Sequence, residues 1–375
     1  MVIRPAASLG EVDEAYDLAA RVFGPTYPEA LKRLAHIRLR EEPESPGDVL
    51  VAISKEKIVG MVHVLPRDVY VRGKRVKAFG FGHVCIHPSY HGQGHGKQLI
   101  LHALELARGK KGVLAIVIAR RAVDGFYWKY GFVGIDSFAE VTLSGESSSV
   151  SSGKRIRYTT GVAPRQLPAL ARAYEQTYAP LPFTFCRDSR WWSHLGARIK
   201  SVSPGVRCVN VYLDRRWLGY FILSQGAVIE AALENRHIEL FTQALVRYVH
   251  DTLKGPVRLA LAVSHPCIEY LRKFAHTMSL RFVWNGGHMV RVLDKERFFD
   301  HWPRFGKKGR GQGEGLDVKA SASRLNVASH EGARRLVLAA FGAASLPSKT
   351  KQTGPVSTAS CAVRLHPVWS ILDEF

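Results

Sequence analysis

Apolar positions change their spacing along this chain and mark out its elements in turn. Ser8-Leu9-Gly10-Glu11 has capping-box spacing, and Val12, Ala15, Tyr16, Ala19, Ala20 and Phe23 then recur at helical intervals, so a helix is expected there. Gly24, Pro25 and Pro28 interrupt it, and Ala30 to Leu39 has the pattern of a second helix. Val49 to Ile53, Ile58 to Leu65 and Val69 to Val71 read as antiparallel strands, and Arg72-Gly73-Lys74 turns the chain into another over Val76 to Phe81. Val84-Cys85-Ile86 reads as a further buried strand, ended by Pro88. Leu99, Ile100, Ala103, Leu104 and Ala107 put one apolar face on the helix that follows. Gly109 stops that helix, and Val113 to Ile118 is again a buried strand.

Between the strand and the helix lies the most informative segment, Val84 to Gly96, in which Gly92, Gly94 and Gly96 remove three side chains where the helix begins. Bare amides at a helix N-terminus favour an anion, since unpaired N–H groups and the positive end of the helix dipole act on it together. Glycine permits close approach. Two nucleotide motifs fail on spacing: Lys97 is followed by Gln98, where a P-loop needs Ser or Thr, and the glycines run G-x-G-x-G rather than G-x-G-x-x-G. His83, His87, His91 and His95 recur every four residues as metal ligands on a helix would, but Pro88 and the glycines forbid a continuous helix there, so no metal is expected.

Leu143 to Gly153, rich in Ser and Gly, reads as a connection between domains. A second mixed unit follows it. Leu167 to Tyr178 and Ile238 to Val249 have helical patterns, while Val209 to Leu213, Trp217 to Leu223 and Val257 to Val263 read as strands, with no glycine turn among them. Met289 to Leu293 reads as a strand, Lys295 to Phe305 as a helix, Gly306 to Gly315 as a basic glycine-rich loop and Ala333 to Phe341 as a short apolar helix. The aromatic and apolar end, Pro367 to Phe375, is expected to dock rather than to be solvated.

Composition adds three restrictions. The 375 residues allow two or three domains, and 46% hydrophobic with 23% charged residues is the balance of a globular protein. No apolar run approaches a membrane span, and the first residues lack the long apolar stretch of a secretory signal, so no membrane association and a cytoplasmic protein are expected. Five scattered cysteines suit neither a disulfide framework nor a zinc site. The net charge of +21 is spread over the chain, with about half of the excess in residues 146–295, where arginine predominates.

The segment His91-Gly92-Gln93-Gly94-His95-Gly96, after a strand ending in a hydrophobic-x-Pro, resembles the pyrophosphate-binding signature of the GNAT acetyltransferases, with His91 where Gln or Arg is usual. Gly125 to Phe132, G-F-Y-W-K-Y-G-F, is similar to that family's second signature, about thirty residues on. Over most of its length the chain resembles the enhanced intracellular survival (Eis) group within that family. The resemblance implies an α+β protein: a catalytic GNAT domain at 1–145, a linker at 146–153, a degenerate second GNAT-like domain without cofactor motif at 154–294, and a short sterol-carrier-like domain at 295–375. It also implies a homo-oligomer, the group often forming hexamers.

Acetyl-CoA is the implied cosubstrate and a primary amine the implied acceptor, whether an aminoglycoside-like polyamine, a small amine or a protein lysine. Val84, Cys85 and Ile86 would bond the pantetheine, His91, Gly92, Gln93, Gly94, His95, Gly96 and Lys97 would hold the pyrophosphate, and Ala122 and Val123 would lie near the same cofactor. Phe23 matches a pocket-lining aromatic. Tyr127 occupies the family position of the general acid, and a phenol with a pKa of roughly 10 suits a leaving thiolate. The C-terminal carboxylate, carried here by Phe375, is the family's base. His83, at a position where the family has an aromatic lining the amine pocket, is the second candidate, because an imidazole is tuned for neutral pH. The alternative function is binding of nucleic acid or another polyanion by the arginine-rich middle region, with an idle or regulatory acetyltransferase unit; this is not favoured, since the cofactor turn is intact.

Overall fold

The computed structural model describes residues 1–23, 45–71, 73–119, 123–135, 138–144, 155–181, 183–196, 199, 206–224, 226–253, 256–262, 264–271, 273–274, 277–283 and 288–300. The expected helix at Ala30 to Leu39, the linker 146–153, and Ala122 and Phe375 lie outside these residues, as does the expected last domain beyond Asp300.

In chain order the first elements are β1 (Val2–Pro5), α1 (Leu9–Phe23), β2 (Val49–Ser54), β3 (Lys57–Pro66), β4 (Val69–Val71), β5 (Lys74–Val76), β6 (Ala78–Ile86), α2 (His95–Gly109), β7 (Leu114–Ile118), α3 (Asp124–Trp128), β8 (Val133–Gly134) and β9 (Phe138–Ser144). Then come β10 (Ile156–Thr160), α4 (Leu167–Tyr178), β11 (Thr184–Phe185), α5 (Ser189–Ser193), β12 (Arg207–Leu213), β13 (Arg216–Ser224) and β14 (Ala227–Leu233). The last are α6 (Ile238–Leu253), β15 (Val257–Leu261), α7 (Cys267–Leu271), β16 (Thr277–Val283), β17 (His288–Val292) and α8 (Lys295–Asp300).

The strands form two seven-stranded sheets of matching plan. The first runs β1-β2-β3-β6-β7-β17-β8 and the second β10-β12-β13-β14-β15-β9-β16. Each contains one parallel pair, β6 with β7 and β14 with β15, and each pair is joined by the crossover helix that parallel strands require, α2 and α6 respectively. The sheets trade strands. β9, which follows the first unit, lies in the second sheet between β15 and β16, and β17 lies in the first between β7 and β8. Sheet membership therefore does not divide at the expected linker 146–153: Phe138–Ser144 precedes it yet pairs beyond it, and the strand expected at Met289 to Leu293 returns to the first sheet. A small third sheet, β11-β4-β5, adds another cross-link, and its Phe185 and Val69 share an apolar cluster with Val290 of β17.

Helices cover both faces of the first sheet. α1 buries Val12, Ala15, Tyr16, Leu18 and Ala19 against Val49, Val51, Met61 and Cys85 on one side. α2 buries Leu99, Ile100, Ala103, Leu104 and Ala107 against Leu50, Ala52, Val62, Val64, Phe79 and Phe81 on the other. Each buried large side chain contributes roughly 1.5–3 kcal/mol, so together they seat the helices firmly. The capping box at α1 is half formed: Ser8 Oγ accepts from the Glu11 amide at 3.3 Å, but the Glu11 carboxylate turns to the Ala7 amide and to a bidentate pair with Arg4 of β1.

One expectation is corrected at the centre of the sheet. The stretches Val76 to Phe81 and Val84 to Ile86 are not two strands; β6 runs unbroken from Ala78 to Ile86. An irregularity lies inside it, where Met61 pairs with Cys85 but His63 pairs with Gly82, so β6 carries one extra residue there. His83 at this bulge has φ +52°, the left-handed region that side chains rarely adopt.

Candidate active site

The bulge separates β6 from its parallel neighbour. β6 pairs with β7 from Ala78 opposite Leu114 to Phe81 opposite Val117, and Gly82 to Ile86 continue with no strand recorded on that side among the described residues. The cause lies in the register. Phe79 and Phe81 face α2, and so do Val84 and Ile86, whereas Cys85 faces α1. The face on which odd residues lie has changed, as an inserted residue demands. Two parallel strands that part in this way expose backbone donors and acceptors to an extended ligand arm.

Just beyond, the chain makes the glycine turn. His87 Nδ1 accepts from the Ser89 amide, capping a short turn at Pro88–Tyr90, and His91 donates Nε2–H to the Ile86 carbonyl at 2.8 Å. His91, expected at the pyrophosphate, thus braces the end of β6 and has only Nδ1 left for another partner. Gly92 and Gly94 have φ of +77° and +80°, and a Cβ at either would meet nothing within 4 Å. Conformation, not crowding, therefore calls for glycine here, and the space in front of the turn is open. Gly94 is the N-cap of α2 and offers no side chain to the first-turn amides. Gln93 accepts from His95 through Oε1 at 3.2 Å, while Nδ1 of His95 is buried without a partner. Lys97 is exposed in the first turn.

α3 links this turn to the point where the strands part. The Phe126 ring lies 3.5 Å from where a Cβ on Gly96 would stand. Tyr127 is 6% exposed and makes an edge contact with Phe132, which makes another with Phe81. Tyr127 is thus buried between the glycine turn and Phe81, the last residue of β6 paired with β7, with its ring in edge contact with Phe126 and Phe132. Val123, the N-cap of α3, is exposed.

On the α1 side the structure brings His83 together with two residues that sequence patterns did not single out. The His83 and Tyr16 rings are 5.0 Å apart in an edge contact, and Tyr16 hydroxyl and His63 Nδ1 form a 2.5 Å hydrogen bond. His63 on β3 is fully buried, and the surrounding residues Ala15, Ala19, Val51, Met61 and Cys85 are apolar. Phe23 packs at the end of the same cluster, and burial pushes the Cys85 thiol up to about 12. Tyr16 appears in sequence as one apolar-face position of a helix, and His63 as one polar residue in a strand; only their meeting across 47 positions marks them. The four histidines spaced by four have separate partners, and among the described residues no three metal-ligating side chains converge.

The second unit has the same parting of strands and closes it internally. β14 pairs with β15 only at Ala227 and Val228, then runs on to Leu233. There the Ala231 amide donates to the Tyr178 hydroxyl at 3.2 Å, and His265 donates Nε2–H to the Ala231 carbonyl at 2.8 Å. Beside them a fully buried Arg187–Glu230 ion pair at 2.7 Å is closed by Tyr220, and the guanidinium lies 4.0 Å and 3.9 Å from the Tyr174 and Trp191 ring centres. The backbone that β6 leaves open is satisfied here by the protein's own side chains.

Residues 3–134 match the acetyltransferase (GNAT) domain family. The N-terminal unit is therefore a GNAT domain, a fold whose members use acyl-CoA, and its boundaries enclose the parted strands, the glycine turn and Tyr127. Among solved structures, a GCN5-related N-acetyltransferase from Anabaena variabilis is similar with a TM-score of 0.59 at 16% identity, over 78% of this chain and 73% of that one. Eis1 from Mycobacterium abscessus is similar with a TM-score of 0.60 at 18% identity, over 80% and 76%. A conserved protein from Enterococcus faecalis V583 gives 0.62 at 17%, over 81% and 76%. At these identities the likeness is one of fold. No curated protein sequence matches the chain. No helix among the described residues is long and apolar enough to cross a membrane.

Proposed function

We propose that the protein is an acyl-CoA-dependent N-acyltransferase of the Eis type that acetylates a primary amine by direct transfer. The parting of β6 from β7 beside an uncapped glycine turn carries this reading. In it the backbone of Val84, Cys85 and Ile86 bonds the pantetheine arm, and the amides of Gly92 to Lys97 hold the pyrophosphate. His83 takes a proton from the acceptor's ammonium group. The freed nitrogen attacks the thioester carbonyl, the new C–N bond replaces the C–S bond, and the second nitrogen proton is lost to solvent. The Tyr127 O–H protonates the departing thiolate and is restored from solvent. Two observations support these roles: a strained backbone that turns His83 to the α1 side, and a phenol buried beside the cofactor turn. The second unit is read as a GNAT-like domain whose cofactor cleft is filled by its own side chains.

The test is thiol release from acetyl-CoA by the purified full chain with aminoglycosides, polyamines and lysine peptides as acceptors. Release with one of these classes supports the reading and names the substrate class. Acetyl-CoA binding without release from any of them counts against it and turns attention to polyanion binding by the basic middle region. Extending the chain beyond Phe375 separates the two bases: full activity in the extended protein favours His83, and loss favours the terminal carboxylate.

A further inference from the structure

Two costs are met at one place in the first sheet. A non-glycine residue held at positive φ is unfavourable, and a hydrogen-bonded polar pair buried among apolar side chains adds little stability that an apolar pair of equal volume would not. His83 bears the first cost, and Tyr16 with His63 bears the second. The three are contiguous: His63 pairs across the sheet with Gly82, the residue before His83, and the Tyr16 ring bridges from His63 to the His83 ring. The bulge that opens the cofactor cleft is thus also what brings the His83 ring against Tyr16, since a regular strand would place it on the face of Phe81, under α2.

We infer that Tyr16 is a positioning residue for His83 and that His63 positions Tyr16, so that the acceptor's proton is taken by an imidazole whose orientation is set from beneath by a tyrosine–histidine pair. The inference rests on the reading of His83 as base. In this arrangement the phenol donates to Nδ1 of neutral His63, which fixes the Nε2–H tautomer of that ring. The Tyr16 ring, tied at its hydroxyl end, cannot swing in the space between α1 and the bulge, and its edge contact limits the rotamers of His83. Such a pair lowers no barrier by itself. Its effect is on the fraction of time the base points at the acceptor, so it acts on turnover and not on acetyl-CoA affinity.

The experiment uses the full chain with acetyl-CoA and whichever amine of the panel is turned over, and compares Tyr16→Phe, His63→Leu, His63→Asn and His83→Asn. Tyr16→Phe keeps the ring and loses the bond; His63→Asn keeps an acceptor near the place of Nδ1, and His63→Leu has none. Tyr16→Phe and His63→Leu are expected to lower kcat about tenfold with the KM for acetyl-CoA unchanged, and His63→Asn to recover most of that loss. Imidazole nitrogen NMR of histidine-labelled protein needs no acceptor. It should show His63 as the Nε2–H tautomer, and both rings should change their signals in Tyr16→Phe. Wild-type turnover in Tyr16→Phe and an unaltered His83 signal would overturn the inference, as would equal losses in His63→Asn and His63→Leu. Full activity in His83→Asn would instead overturn the reading of His83 as base. If no amine is turned over, the imidazole spectra decide the pairing by themselves.

Discussion

Phe81 and His83 lie two residues apart on one strand and face opposite sides of the sheet. Regular β-structure puts such residues on the same face, so the extra residue at the bulge is what assigns Phe81 to the core beneath α2 and His83 to Tyr16. The same irregularity ends the pairing with β7. One local departure from regular backbone therefore coincides with both features, the parting of β6 from β7 and the contact of His83 with Tyr16.

His83→Asn tests whether the strain at this position serves catalysis. Asparagine tolerates positive φ, so the fold should persist with an unfolding midpoint close to wild type, while acyl transfer falls at least about tenfold. Denaturant unfolding read beside a thiol-release assay checks both halves.

Tyr127→Phe removes a hydroxyl and keeps the ring among Phe126 and Phe132. Turnover should fall by about a hundredfold, the scale of a lost general acid, with acetyl-CoA binding retained. An equally active variant would take Tyr127 out of the mechanism.

At Gly94 a methyl group meets open space, but φ is +80°. Gly94→Ala should therefore cost about 1–2 kcal/mol or force the turn to reshape, weakening acetyl-CoA binding. Calorimetric titration should give a single acetyl-CoA per wild-type chain, because the second parting of strands is closed by Tyr178 and His265; a stoichiometry of two would contradict that account.

Arg187 and Glu230 are both fully buried and joined by two hydrogen bonds, with the Tyr220 hydroxyl also donating to Glu230. Arg187→Leu leaves Glu230 as an uncompensated buried carboxylate, and should lower stability by about 3–5 kcal/mol. Urea unfolding of the variant measures this, and a loss below about 1 kcal/mol would contradict this account of the pair.

Burial holds His265 neutral and lowers its pKa to about 4, with its Nε2–H on the Ala231 carbonyl and Nδ1 accepting from Cys267. Because the unfolded chain binds this proton more readily, near the reference value of 6.5, the stabilisation is present above that value. It is lost as pH falls toward about 4, by an amount on the order of 3 kcal/mol. The stability gap between wild type and His265→Leu should narrow over that range, and a gap independent of pH would refute the assignment.

Local order was legible in the residues alone. The helical spacing of α1 and α2, the glycine turn between strand and helix, and the Phe-Tyr pair of α3 are short-range patterns, set by backbone periodicity and by conformations that only glycine adopts without strain. Those patterns also carry the GNAT resemblance that the match over residues 3–134 bears out. β14 was not visible, since all seven of its residues are buried and nothing alternates along it. The exchange of β9 and β17 between sheets was not visible either, because pairing partners are chosen by packing across long separations in sequence. Nor did spacing reveal the join of β6 through the bulge, or the meeting of Tyr16, His63 and His83. Periodicity says which face a residue takes within its own element; which residues face each other is settled when two sheets and their helices close on common cores, and there one inserted residue redirects every side chain after it.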